Sequence, residues 1–125
     1  MTGTFVQHGC GMALESNYRA PNVKSAVKGF GEIHEPCRDA CVALGYQYFG
    51  LGCPMMWQTY CQCYKQSRIE EAGLTSPNTT SCEGPGGKCV GTPTVMHNGN
   101  PYSLGGAWSS AVYSVEYNFG GPSPT

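Results

Sequence analysis

The apolar and polar positions of the chain predict several short strands. Residues 111–119 alternate between two faces, which predicts a final strand with one buried face and one that mostly meets water. The inward positions are Ala111, Tyr113, Val115, Tyr117 and Phe119, and the outward ones are Val112, Ser114, Glu116 and Asn118. The aromatic-rich segment 46–51 and the segment 59–65 predict two more strands. Residues 4–15 predict a first strand and turn.

Residues 35–44 predict the main helix. Pro36 suits a first turn, and Asp39 lies close enough to the N-terminus for its negative charge to be favourable. Gly45 suits the position just after the last helical turn. Residues 66–74 predict a short helical turn. Residues 16–34 are mixed and residues 75–106 are rich in loop formers, so neither segment predicts a regular element.

The cysteine and glycine counts indicate a small disulfide-stabilised domain. The chain of 125 residues has eight cysteines, eighteen glycines and nine prolines. An even number of cysteines in a short chain is typical of an extracellular disulfide framework. We therefore predict a disulfide-rich α+β domain with a short antiparallel sheet, one main helix at about 36–44, and long loops. Residues 1–119 would form this domain, and 120–125 a Gly/Pro/Ser/Thr linker or the start of a stalk.

The charge and hydropathy of the chain disfavour several partners. Charged residues make up 12% of the sequence and the formal net charge is −1, which disfavours binding to nucleic acid or to an anionic membrane. No run of about 18 apolar residues is present, so we expect no membrane insertion by this segment. The start, Met1–Thr4, lacks the pattern of a signal peptide. Because a disulfide domain must be exported, we expect an excised or mature part of a secreted or cell-surface protein.

The cysteine spacing suggests which segments are cross-linked. Cys37 and Cys41 would lie about 6 Å apart along a helix, and Cys61 and Cys63 about 6.6 Å apart along a strand. The two spacings match, so two adjacent disulfides can join the helix to the strand. Cys82 and Cys89 flank a Gly-Pro-Gly-Gly turn and can close a local loop, which by elimination leaves Cys10 with Cys53.

A zinc site is the competing interpretation of these cysteines. Cys61 and Cys63 could supply thiolates, and His34 lies near Cys37 in the sequence. Structural zinc sites usually space paired ligands two to four residues apart, which only Cys37 and Cys41 partly fit. We therefore expect disulfides, with no metal and no cofactor.

The central cysteine block resembles the WSC domain. The resemblance rests on the run Cys37-Arg-Asp-Ala-Cys41-Val-Ala-Leu-Gly45-Tyr-Gln-Tyr-Phe-Gly50-Leu, followed by Cys61-Gln-Cys63. It extends more weakly over residues 9–115, from Gly9-Cys10 to Val112-Tyr113. The family usually has a glycine where this chain has Tyr64. It also usually has a further cysteine shortly before the final pair, joined to the first cysteine, whereas this chain has Cys53 in a loop instead.

The resemblance implies a pairing and a function. It implies the bonds Cys37–Cys61, Cys41–Cys63 and Cys82–Cys89, and a small extracellular domain that binds polysaccharide without catalysis. Aromatic side chains would cover the apolar faces of sugar rings. We expect the carbohydrate-binding residues to be Trp57, Tyr60, Gln62, Tyr64 and Trp108, with Trp57 foremost and with Tyr60 and Tyr64 exposed opposite Cys61 and Cys63. The alternative is that both tryptophans fill a thin core.

We therefore predict a non-catalytic extracellular module that binds a cell-wall or matrix polysaccharide. No motif of a hydrolase nucleophile, a phosphate loop or a zinc protease is present. The alternative is a structural subunit of an extracellular glycoprotein filament, sheath or coat, which would self-associate. Asn78-Thr79-Thr80 is a glycosylation sequon in a loop.

Overall fold

A computed structural model describes residues 2–12, 15–24, 33–53, 58–79, 82, 94–97, 100–106 and 108–118. Within these residues the chain forms seven strands and two helices. In chain order they are β1 Thr2–Met12, β2 Tyr18–Lys24, α1 His34–Ala43, β3 Tyr48–Leu51, β4 Gln58–Tyr64, α2 Gln66–Glu71, β5 Thr94–His97, β6 Asn100–Ser103 and β7 Ser109–Asn118.

The main sheet has five strands in the order β1-β7-β3-β4-β2, and all neighbouring strands are antiparallel. Strands β5 and β6 form a separate antiparallel pair. The predicted fold class, a small disulfide-rich α+β domain with one main helix, is confirmed. None of the described helices is long and apolar enough to cross a membrane.

Strand β2 lies at one edge of the sheet and was not predicted. It contains Pro21 and Asn22, which are depleted in strands, and its register with β4 shifts between Ala20 and Val23. An edge strand tolerates proline because one row of its backbone groups has no neighbour. The weak strand signal in this segment therefore follows from its place in the sheet.

Helix α1 lies where the sequence predicts it, within about a residue at each end. Gly45 ends it with a φ of +86°. The Gly45 N–H donates to Val42 C=O and the Tyr46 N–H donates to Cys41 C=O, which together form a Schellman motif. Because α1 ends at this motif, the chain enters β3 close to α1, and β3 packs against the helix.

One face of the sheet carries the main core beneath α1. The disulfides Cys37–Cys61 and Cys41–Cys63 join α1 to β4, so these two predicted bonds are confirmed. The cysteines are buried with apolar side chains from β1, β3, β7 and the connecting segments, among them Phe5, Ile33, Phe49, Leu51, Leu104 and Tyr113. The disulfides replace part of the aliphatic core that this cysteine- and tyrosine-rich chain lacks.

The predicted bonds Cys10–Cys53 and Cys82–Cys89 are wrong, because Cys10 pairs with Cys82. After α2 the chain returns to the edge strand β1, where the Asn78 N–H donates to Gln7 C=O and the Gly9 N–H donates to Asn78 C=O. This return brings Cys82 to Cys10 across a sequence separation of 72, so sequence proximity to Cys89 does not decide the pairing. Cys53 is also disulfide-bonded, and Cys89 lies outside the described residues.

Helix α2 covers part of the opposite sheet face. Its Ile69 packs with Tyr48, Tyr64 and Val112 in a second buried cluster. The expectation that Tyr64 is exposed and that Val112 faces water is therefore wrong, because both side chains are fully buried. α2 follows β4 directly and folds back over the end of the sheet, so both faces are buried there.

The three disulfides whose cysteines both lie in the described residues are typical of an oxidising, extracellular type of environment. The predicted linker at 120–125 lies outside the described residues.

Tryptic mapping of the unreduced protein checks the connectivity. We expect the peptide 1–19 to be joined to 69–88, since these hold Cys10 and Cys82 and Lys88 separates Cys82 from Cys89. Elimination then predicts that 39–65, which holds Cys53, is joined to 89–125. The pairing expected from spacing would instead join peptide 1–19 to 39–65 and peptide 69–88 to 89–125. Detection of those two products would contradict the Cys10–Cys82 bond.

Candidate functional site

A row of small residues leaves one part of the sheet open on the face that α2 partly covers. Gly11 on β1 pairs with Ser110 on β7, and the Gly52 N–H, just after β3, donates to Tyr60 C=O on β4 at 3.1 Å. The two glycines have no side chain and the serine has a small one, so no large side chain projects from the sheet at these positions. The result is a cleft of about 230 Å³, whose lining includes Gly11, Gly52, Tyr60, Gln62, Trp108 and Ser110. We call it the Trp108 cleft.

Trp108 is held out at the rim of this cleft. Its side chain is 77% exposed, and its φ is +62°, the only positive value at a described non-glycine residue. The turn that contains it is closed by the Ser109 N–H donating to Gly106 C=O and by the Gly106 N–H donating to Ser109 Oγ. A left-handed conformation costs a non-glycine residue about 1–2 kcal/mol. The interpretation of Trp108 as a core residue is therefore wrong.

Gly105 fixes this turn to the sheet. Its N–H donates to Gly52 C=O at 3.1 Å, and the same carbonyl accepts a bond from Thr59 Oγ1 at 2.8 Å. A Cβ on Gly105 would lie 2.5 Å from Ser109 O and 2.6 Å from Leu51 O, so only glycine fits. The position of the Trp108 turn is thus determined by close backbone contact with the end of β3.

Gln62 forms part of the cleft wall, and buried hydroxyls orient it. Its Oε1 accepts hydrogen bonds from Tyr64 Oη at 2.8 Å and from Ser110 Oγ at 2.6 Å. Among the described residues nothing accepts from the Gln62 amide N–H₂ group, which leaves two donors for a ligand. The side-chain amide is therefore fixed by its oxygen, while its nitrogen has no acceptor among the residues that the structure describes.

Tyr64 supports the cleft from beneath. A Cβ on Gly50 would lie 2.7 Å from Tyr64 Cε2, so the ring occupies space left by that glycine. Burial raises the pKa of the Tyr64 hydroxyl, while Ser110 and Arg68 act in the opposite direction. Tyr64 is therefore a positioning residue for Gln62, and its predicted role as a stacking surface is wrong.

Tyr60 is half-buried and forms the wall of the cleft on the β4 side. The guanidinium carbon of Arg19, on β2, lies 4.0 Å from the centre of its ring. This cation–π contact fixes the ring orientation and places a positive charge beside the cleft.

The structure brings together three of the five predicted binding residues, Tyr60, Gln62 and Trp108, at one cleft. Trp57 lies outside the described residues. Sequence reasoning missed Arg19, Gly105 and Ser110. Arg19 lies on the unpredicted strand β2, and the consecutive small residues Gly105-Gly106 before Trp108 were the signal that pointed to a tight turn.

A second cleft of about 440 Å³ lies beside the return of the chain to β1, and its lining includes His8, Leu74 and Asn78. His8 Nε2 lies 2.7 Å from Ser114 Oγ, which fixes the ring beneath the cleft. Asn78 is exposed, whereas its backbone is bonded to β1. Glycosylation of Asn78 stays a prediction.

The zinc interpretation does not fit the folded cysteines. The sulfurs of Cys37, Cys41 and Cys61 lie within 4.8 Å of one another, but each is in a disulfide. Cysteine binds metals as the thiolate. His34 is buried against Phe5 and Tyr113, so it contributes to the core.

A scan against protein-family models, a search of curated proteins and a search of solved structures each found no match to this chain. The clefts are therefore the features of the molecule from which a function can be inferred.

Replacement of Gly105 by Ala should destabilise the fold. Because the added methyl meets two carbonyl oxygens, we expect a loss near the upper end of the roughly 1–3 kcal/mol that overpacking costs, measured by urea unfolding. Gly73→Asn is the control, since Gly73 has a φ of +72° and open space around it, and asparagine tolerates that conformation. A loss in Gly105→Ala no larger than in the control would contradict the proposed packing of the turn.

The unfolding free energy should depend on pH through Tyr64. Its folded pKa lies above the unfolded value of 10.0, so its contribution is complete below that pH and is lost as the pH rises through the folded pKa. Urea unfolding from about pH 8 to about pH 11 should therefore show a steeper decline for the native protein than for Tyr64→Phe. The other tyrosines are common to both proteins, and equal slopes would show that Tyr64 ionises as freely as in the unfolded chain.

Proposed function

We propose that this chain is a non-catalytic extracellular carbohydrate-binding module, and that the Trp108 cleft contacts a cell-wall or matrix polysaccharide. The observation that supports this most directly is Trp108 itself. Its indole is exposed, although its positive φ is unfavourable for a residue other than glycine. The ring is held beside a second aromatic ring and a fixed amide. Strained residues of this kind cluster at functional sites.

The chemistry of the cleft suits a sugar ring. A pyranose has an apolar face, which an aromatic ring covers, and hydroxyl groups around its edge, which need donors and acceptors. Trp108 and Tyr60 supply aromatic surface with little rotamer entropy to lose. The Gln62 amide and the Ser110 hydroxyl supply polar groups between them.

The size and shape of the cleft favour part of a polymer over a small enclosed ligand. Its volume of about 230 Å³ is below the roughly 300–1,000 Å³ of sites that bury a drug-sized molecule. Its lining includes Gly11, Gly52 and Ser110, whose side chains are absent or small. A polysaccharide can place one unit in such a site while its neighbours remain in water.

The resemblance to the WSC domain adds support. The bonds Cys37–Cys61 and Cys41–Cys63 are those that the resemblance implies. Cys82 pairs with Cys10 instead of forming the third implied bond, Cys82–Cys89, so the agreement covers the two bonds between α1 and β4. This is support by analogy for a polysaccharide-binding role, since fold and framework do not specify function.

The alternative, a structural subunit that self-associates, has one observation in its favour. Tyr18 and Leu44 are 41% and 57% exposed, and the Tyr18 ring stacks on Tyr46 with centroids 6.2 Å apart. These residues lie away from the Trp108 cleft lining. Sedimentation at micromolar concentration tests this alternative independently, since a binding module would remain monomeric.

Replacement of Trp108 by Gly should abolish polysaccharide binding without loss of stability. The side chain is largely exposed and glycine accepts the positive φ, so we expect an unfolding free energy equal to that of the native protein within about 1 kcal/mol. Binding is measured by retention on insoluble β-glucan, chitin, xylan and pectin. We expect at least one of them to retain the native protein but not Trp108→Gly.

Tyr18→Ala is the matched control, because it removes an exposed aromatic ring outside the cleft. It should bind like the native protein. Equal retention of Trp108→Gly and the native protein would show that the cleft is not the binding site. Retention on no polysaccharide would remove the proposed function.

A further inference from the structure

We infer that the sugar unit taken by the Trp108 cleft is anionic, with a carboxylate or sulfate group that binds Arg19; this inference rests on the proposed function. Arg19 is exposed on the edge strand β2. It pairs with Gln62 on β4, and paired residues of antiparallel strands place their side chains on the same face. Arg19 therefore lies next to Gln62 and Tyr60, which both line the cleft.

The guanidinium of Arg19 is oriented before any ligand arrives. It lies over the Tyr60 ring at 4.0 Å, and Tyr60 in turn packs against Gly52, where an added Cβ would lie 3.2 Å from Tyr60 Cβ. Stacking on an aromatic face leaves the planar edge of a guanidinium free to donate. That edge matches the two oxygens of a carboxylate or sulfate.

Arg19 differs from the other described arginines in its charge environment. Arg38 pairs with Asp39, and Arg68 lies 3.9 Å from Glu71. Among the residues that the structure describes, no carboxylate lies within 4.0 Å of Arg19. Its positive charge is thus available to a ligand.

The charge around the cleft limits the kind of anion. The described residues that line it carry no charged side chain, and the net charge of the chain is −1. Among the side chains that the structure describes around the cleft, Arg19 supplies one cation beside two aromatic rings, which suits one anionic group per sugar unit. It does not suit a polyphosphate backbone, which requires many cations.

The test compares each charged polymer with an uncharged derivative of the same polymer. Soluble polygalacturonate is compared with its methyl ester, and a sulfated galactan with the same polymer after desulfation, by calorimetry or affinity electrophoresis. We expect the native protein to bind at least one charged polymer about tenfold more tightly than its neutral counterpart. This preference should shrink as salt rises toward about 0.5 M, because the contact is exposed and screened.

The variants assign this preference to Arg19. Arg19→Gln should lose about tenfold for the charged polymer and nothing for the neutral one, whereas Arg19→Lys should lose less, since it keeps the charge without the planar fork. Lys65→Gln removes one exposed positive charge between β4 and α2 and should bind like the native protein. Trp108→Gly should lose binding to both polymers.

The outcomes separate the two proposals. Equal binding of charged and neutral polymers, unchanged in Arg19→Gln but lost in Trp108→Gly, would overturn the anionic ligand and leave the binding module in place. An equal loss in Lys65→Gln and Arg19→Gln would also overturn it, because the effect would then be one of net charge. Binding to none of these soluble polymers would overturn the anionic ligand. It would overturn the binding module as well only if β-glucan, chitin, xylan and pectin also failed to retain the native protein.

Discussion

The two disulfides between α1 and β4 are the constraint on which the rest of the structure depends. Cys37 and Cys41 lie one turn apart on the helix, and Cys61 and Cys63 lie on the same face of the strand. These bonds fix both the distance and the direction of the helix relative to the sheet. One face is therefore closed by covalent bonds together with Phe49, Leu51 and Tyr113.

The opposite face then becomes the place where a site can form. α2 is only six residues long and covers one end of that face, where Tyr64 and Val112 are buried. Beyond it lie Gly11 and Ser110 on the strands and Gly52 just after β3, and these residues offer no apolar side chain that needs to be covered. The Trp108 cleft thus exists because the second layer is short and the side chains beside it are small.

The sequence allowed α1, the positions of β3, β4 and β7, and the α1–β4 cross-links to be predicted, because each depends on local spacing. It did not allow Tyr64 to be distinguished from Tyr60. Both lie on the face of β4 opposite the cysteines, and alternation tells which face a residue takes but not how far along the strand that face is covered. Cys10–Cys82 and β2 were missed for a related reason, since both depend on which distant segments meet.

The same limit applies to the site. Tyr60, Gln62 and Trp108 were identified from residue type alone, but the features that make them one site are backbone features. The Gly52 carbonyl accepts from both Gly105 and Thr59, and so links the floor of the cleft to the turn that carries Trp108. A backbone carbonyl that accepts two hydrogen bonds cannot be predicted from the types of residue in the sequence.

The conformation of Trp108 connects this geometry to function. The turn around it is closed by Gly106 and Ser109, and glycine at position 108 would form it with less strain. The side chain is too exposed for burial to offset the cost of a positive φ. Folding alone therefore gives no reason for an indole here. The ligand contact that we propose would give one, because a ring displayed on an anchored turn loses little freedom when a second surface stacks on it.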